Sequence, residues 1–384
     1  MTLSEKLQQA LTSAVAKREL PCGNVLVLKD GQEIAYAEAG SDLLTGKPIA
    51  RDTIFRLYSQ TKPITAAAVA MLVERGLIDL MDPVEKYLPG FAHPSVIRAD
   101  GMTEWAERSV TLMDLLGMTA GLSYPGEDPA AAYAARLFDT NTQAILRGAG
   151  MSTVVFCNEI GKLPLAFQPG REFRYSSCAD VLGAVVELAD GRLFSRFLRE
   201  EFFEPLGMKD TGFCVTPENR SRLVTCAQRP HMNVWNQMNL CVGRYDTEPA
   251  FASGGAGLVS TLDDYARFAT MLLRGGELDG RRYLSEQTVA WLTAPQVPAG
   301  LFWDWNSGYN YGKLMRVCVD PGKAAGLARK GEYGWDGWLG TYFVNFPDIG
   351  VTLLLNQNVT DTGTASVTRR VRNIVLSDPL TAGV

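Results

Sequence analysis

The sequence predicts an α+β fold, an α/β sandwich in which one antiparallel sheet is assembled from both ends of the chain. Each end carries a hairpin pattern and an amphipathic helix pattern, and the long middle has helical periodicity. We therefore expect a sheet domain formed by residues 1–60 and 293–384, flanked by the terminal helices, with a mainly helical domain inserted over 61–292. Because ligand sites commonly lie between such units, the active site is expected in the cleft between them.

The N-terminal end predicts a helix followed by a hairpin. Leucine or valine recurs at four-residue spacing, which places one apolar stripe on a helix, at Leu3, Leu7, Leu11 and Val15. Two strand-like runs follow at 24–29 and 32–37. The Asp30-Gly31 pair between them is typical of a two-residue hairpin turn.

The C-terminal end predicts a second hairpin and a last helix. The strand-like runs 341–346 and 350–356 are separated by Pro347-Asp348, which favours a turn. The helix that follows carries its apolar residues at helical spacing, at Val367, Val371, Ile374 and Val375. The two ends of the chain thus supply equivalent elements for one sheet.

The composition excludes several classes of partner. Of 384 residues, 46% are hydrophobic and 21% are charged, an ordinary composition for a soluble globular protein. A net charge of -5 without a dense Lys/Arg run gives no reason to expect nucleic acid. The chain has no apolar run long enough to span a bilayer, so no membrane partner is expected. Whether it forms a homo-oligomer stays open.

Seven cysteines are scattered along the chain, and none of them forms a Cys-x-x-Cys pair. Scattered thiols among apolar neighbours favour reduced cysteines over a disulfide framework. The N-terminus reads as an amphipathic helix rather than as a charged end followed by an apolar secretion core. We therefore expect a cytoplasmic protein.

The most informative local pattern is Ser59-Gln60-Thr61-Lys62, which lies where an apolar run meets a strongly helical segment. A serine in the first helical turn lies among backbone N–H groups that have no intrahelical partner, and these favour negative charge at its oxygen. Lys62 projects from the same face, and Pro63 is tolerated so early in a helix. The pattern predicts a serine that is activated by an amine, although such quartets also arise by chance.

Four further stretches follow in order, at 167–177, 203–211, 252–268 and 334–343. Together with Ser59 and Lys62 they resemble the serine β-lactamase and penicillin-binding-protein superfamily, in its class C-like branch. The motif pattern is most similar to the family VIII carboxylesterases, and the branch also includes D-stereospecific peptidases. The resemblance runs from Phe55 to Asn356 and implies the family's combination of sheet and helical domain.

The resemblance implies a role for each catalytic residue. Ser59 would be the nucleophile that forms an acyl-enzyme, and Lys62 would help to remove its proton. Tyr175 matches the tyrosine of the family's Tyr-x-Asn element, a general base as phenolate and later an acid toward the leaving group. The backbone N–H groups of Ser59 and Trp338 would form the oxyanion hole. A free tyrosine titrates near 10, so the Lys62 ammonium is expected to make the phenolate available.

Two departures from the lactamase pattern concern substrate binding. Trp335-Asp336-Gly337 stands where lactamases have Lys-Thr-Gly, whose cation helps to bind a carboxylate. A tryptophan has no charge, which argues against efficient penicillin or cephalosporin turnover and resembles the Trp-x-Gly of the esterases. Asp336 would either receive a substrate ammonium group or point away along the strand. Ser177 replaces an asparagine, and its shorter hydroxyl can touch Lys62 but reaches less far toward a substrate amide.

Two other regions bear on the site. Met118-Thr119-Ala120-Gly121-Leu122 stands where the family often has His-Thr-Ser-Gly-Leu, and its role is left open. An aromatic run suggests an apolar acyl or alcohol pocket, with core packing as the alternative. It comprises Phe302, Trp303, Trp305, Tyr309 and Tyr311, together with Trp335 and Trp338.

The leading hypothesis is a carboxylesterase that acts on small to medium acyl esters through an acyl-enzyme on Ser59. The alternatives are a D-amino-acid peptidase or amidase, a weak class C-like β-lactamase, and a non-catalytic binding protein of the same fold. A Ser-His-Asp hydrolase is disfavoured, because the chain has two histidines and no Gly-x-Ser-x-Gly elbow. No cofactor is expected, and His93 and His231 have no ligand-spaced partners for a metal.

Overall fold

The computed structural model describes residues 1–298, 301 and 307–382. Its helices, numbered along the chain, are α1 Leu3–Ala16, α2 Lys62–Glu74, α3 Leu112–Leu116, α4 Pro129–Leu146, α5 Thr153–Gly161, α6 Cys178–Asp190, α7 Phe194–Leu198, α8 Glu204–Leu206, α9 Leu262–Leu273, α10 Glu286–Leu292 and α11 Ser366–Leu376. A π-helical turn, Arg199–Phe203, joins α7 to α8.

The strands are likewise numbered along the chain. They are β1 Cys22–Lys29, β2 Gln32–Gly40, β3 Phe55–Arg56, β4 Ser95–Ile97, β5 Thr103–Trp105, β6 Cys226–Gln228, β7 Asn233–Trp235, β8 Val259–Ser260, β9 Glu277–Leu278, β10 Arg281–Arg282, β11 Tyr309–Tyr311, β12 Arg316–Cys318, β13 Tyr333–Asp336, β14 Tyr342–Phe346 and β15 Val351–Gln357.

The main sheet joins the two ends of the chain. Within the described residues it has seven strands in the order β11-β12-β13-β14-β15-β1-β2, and neighbouring strands are antiparallel throughout. The C-terminal strand β15 pairs directly with the N-terminal strand β1, with Val25 opposite Leu355. The predicted fold class, an antiparallel sheet built from both termini, is confirmed.

Both predicted hairpins are present, and their turns explain the register. Asp30 and Gly31 have φ angles of 51° and 79°, the left-handed pair that a two-residue hairpin turn requires. A 3-10 turn, Pro347–Ile349, followed by Gly350 at φ 64°, connects β14 to β15. Left-handed backbone at these positions accounts for the Asp-Gly pair and for the glycine.

The two faces of the sheet are covered by different parts of the chain. Val25 and Val27 face α1 and α11, whose apolar stripes pack on this side, as the sequence predicts. Leu26 and Leu28, which alternate with them, face the larger core that includes the helical region. Helix α9 packs on this second face against β14, β15 and β1, although it belongs to the segment 61–292. The proposed domain boundaries stay a prediction.

Helix α6 lies at the centre of the helical region, where it contacts α2, α3 and α5. The beginning of α2 also contacts β13 of the sheet, as does the 3-10 turn that precedes α2. The segment that carries Ser59 and Lys62 therefore contacts both β13 and helix α6. This junction brings the predicted site residues together.

Two general expectations can be compared with the structure. All seven cysteines are free thiols, and six of them are buried, in agreement with the absence of a disulfide framework predicted above. Among the helices of the described residues, none combines the length and the apolar character that a membrane span requires.

Candidate active site

Ser59 lies in a 3-10 turn, Tyr58–Thr61, that leads directly into α2. The sequence predicted a position in the first turn of an α-helix; instead the α-helix begins at Lys62, and Pro63 falls in its first turn, where a missing N–H is tolerated. Tyr58 has a φ of 45°, a left-handed conformation that is strained for a bulky side chain. Such strain beside a nucleophile is typical of functional sites.

Lys62 is fully buried, and its amine lies among oxygen atoms. The Nζ atom is 3.2 Å from Ser59 Oγ, 3.1 Å from the Tyr124 hydroxyl and 2.9 Å from the Gly255 carbonyl oxygen. Burial lowers the pKa of Lys62 to about 7, although negative charge at Asp180 opposes the shift. The neutral amine, which can accept the Ser59 proton, is therefore accessible near neutral pH.

Tyr175 contacts both Ser59 and strand β13. Its hydroxyl accepts a hydrogen bond of 3.1 Å from the indole N–H of Trp335. Burial raises the pKa of Tyr175 above its ordinary value, and the hydrogen bonds with Ser59 and Trp335 offset only part of this. The expectation of a phenolate near neutral pH is wrong, because the Lys62 amine lies over the ring, 4.5 Å from its centre, and donates to Tyr124 instead.

Tyr124 is a site residue that the sequence analysis missed. It ends the loop that begins at Met118, whose φ is 57°. Gly121 in this loop has a φ of 82°, and a Cβ there would lie 2.7 Å from the Phe167 carbonyl oxygen. The loop whose role was left open therefore brings the Tyr124 hydroxyl to Lys62. The signal in the sequence was a tyrosine directly after the 118–122 stretch already singled out.

The turn between β13 and β14 packs against the Ser59 segment. A Cβ on Gly337 would lie 2.2 Å from the Leu57 carbonyl oxygen, so only glycine allows this approach. The same carbonyl accepts a hydrogen bond of 3.0 Å from the Thr341 hydroxyl. The Trp338 ring packs edge-on against Tyr58 at 5.3 Å between centroids. Two predicted oxyanion-hole residues, Ser59 and Trp338, are thus brought to neighbouring positions.

Trp335 and Asp336 have different surroundings although they are adjacent on β13. Trp335 packs against Tyr175 and lies edge-on to Tyr311, with ring centroids 5.6 and 5.2 Å away. Asp336 forms an ion pair of 2.7 Å with Arg316. Arg316, rather than a substrate, therefore neutralises the Asp336 carboxylate, and a role for Asp336 in binding a substrate stays a prediction.

Ser177 and the aromatic run are placed as follows. The buried Ser177 hydroxyl lies 3.5 Å from the Ser123 carbonyl oxygen, so its hydrogen bond is directed to the loop that carries Tyr124. Tyr311 lies beside Trp335, whereas the Tyr309 hydroxyl is bonded to Glu332. The remaining members of the run, Phe302, Trp303 and Trp305, lie outside the described residues.

This geometry can support nucleophilic catalysis. A serine hydroxyl lies beside a buried amine that can accept a proton, and two neutral phenols surround them. The first turn of a helical segment and a strand edge meet at the serine, where backbone N–H groups can bind an oxyanion. The fold and the site together are those of a serine hydrolase, with a buried amine beside the serine hydroxyl.

The comparisons with known proteins agree. A family model described as Beta-lactamase matches residues 7–376. Protein Rv1367c of Mycobacterium tuberculosis is 32% identical over 340 residues, which cover 84% of this chain and 80% of that protein. Esterase EstB of Burkholderia gladioli is 31% identical over 376 residues, which cover 93% and 91%. The chain therefore belongs to the β-lactamase family.

A solved structure supports the same assignment. EstCE1, described as a hydrolase with promiscuous acyltransferase activity, superposes with a TM-score of 0.79 at 26% identity, covering 97% of this chain and 98% of that one. The similarity to EstB and EstCE1 confirms the resemblance to the esterase members of the family. The chain is thus a β-lactamase-fold member of a serine hydrolase family.

Proposed function

We propose that this protein is a carboxylesterase that hydrolyses small to medium acyl esters through an acyl-enzyme on Ser59. The observation that carries the proposal is Trp335, an uncharged side chain at the position of the lactamase cation. Its indole N–H is committed to the Tyr175 hydroxyl, and its ring lies among aromatic neighbours. Such surroundings favour an uncharged ester over a substrate that carries a carboxylate. Similarity to an esterase, EstB, supports this choice.

In the acylation step, Ser59 Oγ attacks the ester carbonyl carbon and its proton passes to the neutral Lys62 amine. The distance of 3.2 Å between these two atoms suits the transfer. The carbonyl oxygen becomes an oxyanion that the backbone N–H groups of Ser59 and Trp338 would stabilise. One such donor contributes about 10²–10³ in rate.

When the tetrahedral intermediate collapses, the bond to the alcohol breaks and the alkoxide needs a proton. The Tyr175 phenol is suited to donate it, because its raised pKa keeps the proton in place until then. Lys62 then gives up its proton to solvent, and Tyr175 regains one from solvent. A water molecule attacks the acyl carbon while Lys62 takes its proton. As the bond between that carbon and Ser59 Oγ breaks, Lys62 returns the proton to Ser59 and the acid is released. Tyr124 holds the amine in place through its hydrogen bond of 3.1 Å.

Amide and lactam substrates have less support. Recognition of a D-amino-acid ammonium group by Asp336 would compete with the Arg316 ion pair. Recognition of a substrate amide by Ser177 would compete with its hydrogen bond to Ser123. Gly337 lies against the Leu57 carbonyl oxygen, so its expected part in substrate binding stays a prediction.

The proposal is tested by initial rates on p-nitrophenyl butyrate, a D-alanine p-nitroanilide and a chromogenic cephalosporin. The wild type should hydrolyse the ester fastest, and Ser59→Ala should lose both turnover and covalent labelling by a fluorophosphonate. Ser4→Ala on α1, which packs on the other face of the sheet, is the matched control and should be unchanged. Dominant anilide or cephalosporin turnover would contradict the proposed substrate, and labelling that persists in Ser59→Ala would mean a different nucleophile.

A further inference from the structure

The first turn of α6 carries a buried carboxylate, Asp180, that the reaction described above does not use. Its side chain is 2% exposed. The carboxylate accepts a hydrogen bond of 2.5 Å from the Ser253 hydroxyl and one of 3.0 Å from the backbone N–H of Gly255. Burial raises the pKa of the Asp180 carboxyl, while the hydrogen bond from Ser253, the positive charge of Lys62 and the N–H of Gly255 favour its charged form. The nearest cation in its surroundings is the catalytic amine.

Gly255 connects this carboxylate to Lys62. Its N–H donates to Asp180, and its own carbonyl oxygen accepts from Lys62 Nζ at 2.9 Å. A Cβ on Gly255 would lie 2.8 Å from the Tyr124 hydroxyl and 2.9 Å from an Asp180 carboxylate oxygen. The carboxylate, the phenol and the amine therefore surround one glycine, which no larger residue could replace without displacing them.

The turn that contains Gly255 is fixed by further hydrogen bonds. The Ser253 hydroxyl accepts from the backbone N–H of Ala256 at 2.9 Å while it donates to Asp180. The Gly254 carbonyl oxygen accepts from the Thr65 hydroxyl, one turn along α2 from Lys62, at 2.7 Å. The 253–256 turn is thus hydrogen-bonded to both α2 and α6, so a movement of the Asp180 carboxylate would also move the Gly255 carbonyl oxygen.

The titratable groups around Lys62 come from several elements. The 118–124 loop contributes Tyr124, and the segment that leads into α6 contributes Tyr175. Helix α6 contributes Cys178 and Asp180, and β13 contributes Asp336. Of the charges that raise the pKa of Lys62 against the effect of burial, Asp180 is the largest. Asp336 also contributes, but Arg316 neutralises it.

We propose that Asp180 is a positioning residue for catalysis: through the Gly255 peptide it fixes the Lys62 amine against Ser59, and its negative charge keeps that amine basic enough to take the serine proton. A lysine in a dry site without such a charge would be too weak a base to hold this proton. The inference rests on the proposed roles of Ser59 and Lys62 and is independent of the class of substrate.

The direct test is Asp180→Asn, which keeps an oxygen acceptor for Ser253 and Gly255 and removes the charge. We would measure the rate of fluorophosphonate labelling at Ser59 from about pH 5 to about pH 9, on both sides of the lowered Lys62 pKa of about 7. The wild-type rate should rise through about pH 7 as Lys62 loses its proton. This rising part of the pH profile, the acid limb, should move to lower pH by about one unit or more in Asp180→Asn, because the loss of an opposite charge lowers the pKa of Lys62. The plateau rate should fall about tenfold or more as the amine becomes a weaker base.

Two further variants keep the test decisive. Asp264→Asn on α9 is the matched control, because Asp264 is also buried and also accepts from a backbone N–H and a hydroxyl, those of Asp210 and Thr211. It should lose stability without moving the limb. Ser253→Ala removes a hydrogen bond that favours the charged form of Asp180, so it should shift the limb in the same direction by less. If Asp180→Asn does not fold, Ser253→Ala is used as the test in its place.

An acid limb that stays in place in a folded Asp180→Asn variant, whatever the loss of rate, would overturn the proposal and leave Asp180 a structural residue. A shift to higher pH would overturn it as well. If the wild type is labelled at Ser59 but hydrolyses no ester, the proposed ester substrate is wrong and the inference about Asp180 still stands. A wild type that is not labelled at Ser59 would overturn both.

Discussion

Arg372 on α11, Glu332 and Tyr309 form a buried cluster in which a guanidinium and a carboxylate are in direct contact. In the candidate active site, by contrast, a peptide group separates an amine from a carboxylate. Arg372 contacts Glu332 at 2.7 Å, and Tyr309 lies 3.1 Å from the same nitrogen. Lys62 contacts only neutral oxygens, with Asp180 on the far side of Gly255. Both cations are buried, so the difference lies in how each one is compensated.

The two arrangements have opposite effects on protonation. Direct contacts with Glu332 and two phenols raise the pKa of Arg372 although burial opposes this, so its charge is permanent. For Lys62 burial dominates, and its pKa falls to about 7. The direct pair thus fixes the charge of Arg372, while the pair divided by a peptide leaves the Lys62 proton free to move, as the proposed reaction requires.

The largest expected effect comes from giving the active site a permanent charge. Lys62→Arg should lower kcat/KM for the ester about 10³-fold, because a guanidinium cannot accept the Ser59 proton at neutral pH. Lys6→Arg, in a surface ion pair of 2.7 Å with Asp378, is the control and should leave the rate unchanged. Near-normal activity in a folded Lys62→Arg protein would remove proton acceptance by Lys62 from the mechanism.

The next effect is on stability. Glu332→Gln leaves Arg372 as a buried, unpaired charge and should lower the free energy of unfolding by about 3–5 kcal/mol in urea titrations. Glu277→Gln breaks an exposed pair with Arg282 and should cost less than about 1 kcal/mol. The fraction of protein that labels at Ser59 should stay normal in both. Equal small losses for the two variants would mean that the buried pair adds nothing beyond a surface one.

The smallest of the three effects compares a tyrosine from each cluster. Tyr175→Phe removes the proposed proton donor and should lower kcat for the ester about 10²-fold with little change in stability. Tyr309→Phe removes a hydroxyl that contacts Arg372 and should affect the unfolding midpoint instead of kcat. If the two variants exchanged these effects, the assignment of one cluster to catalysis and the other to structure would be reversed.

Local sequence patterns were sufficient for the sheet and for the contact between Ser59 and Lys62. The Asp30-Gly31 turn and the Ser59–Lys62 spacing each depend on residues that are close in the chain. Tyr124 was missed because it reaches Lys62 from 62 positions away, and no local pattern announces that contact. Asp180 was missed for the same reason, since its donors come from a turn more than 70 positions later.

Two site residues needed knowledge of where side chains lie in space. The sequence left open whether Asp336 faces a substrate, and the ion pair with Arg316, 20 positions earlier, supplies its partner. Burial disfavours the predicted phenolate form of Tyr175, and the Lys62 ammonium does not offset this because it approaches the ring and not the hydroxyl. Contact with the ring face leaves burial as the dominant influence on the pKa. The catalytic role of Tyr175 stays a prediction.

The contact between Gly337 and Leu57 has a mechanical consequence. Because not even a methyl group fits between them, the turn that follows β13 and the turn that carries Ser59 must move together. A substrate that pushes β13 outward would carry Ser59 with it, so the distance between Ser59 and Trp338 would not depend on the size of the acyl group. Variation in substrate range would then arise from the side chains around Trp335, leaving the reaction geometry untouched.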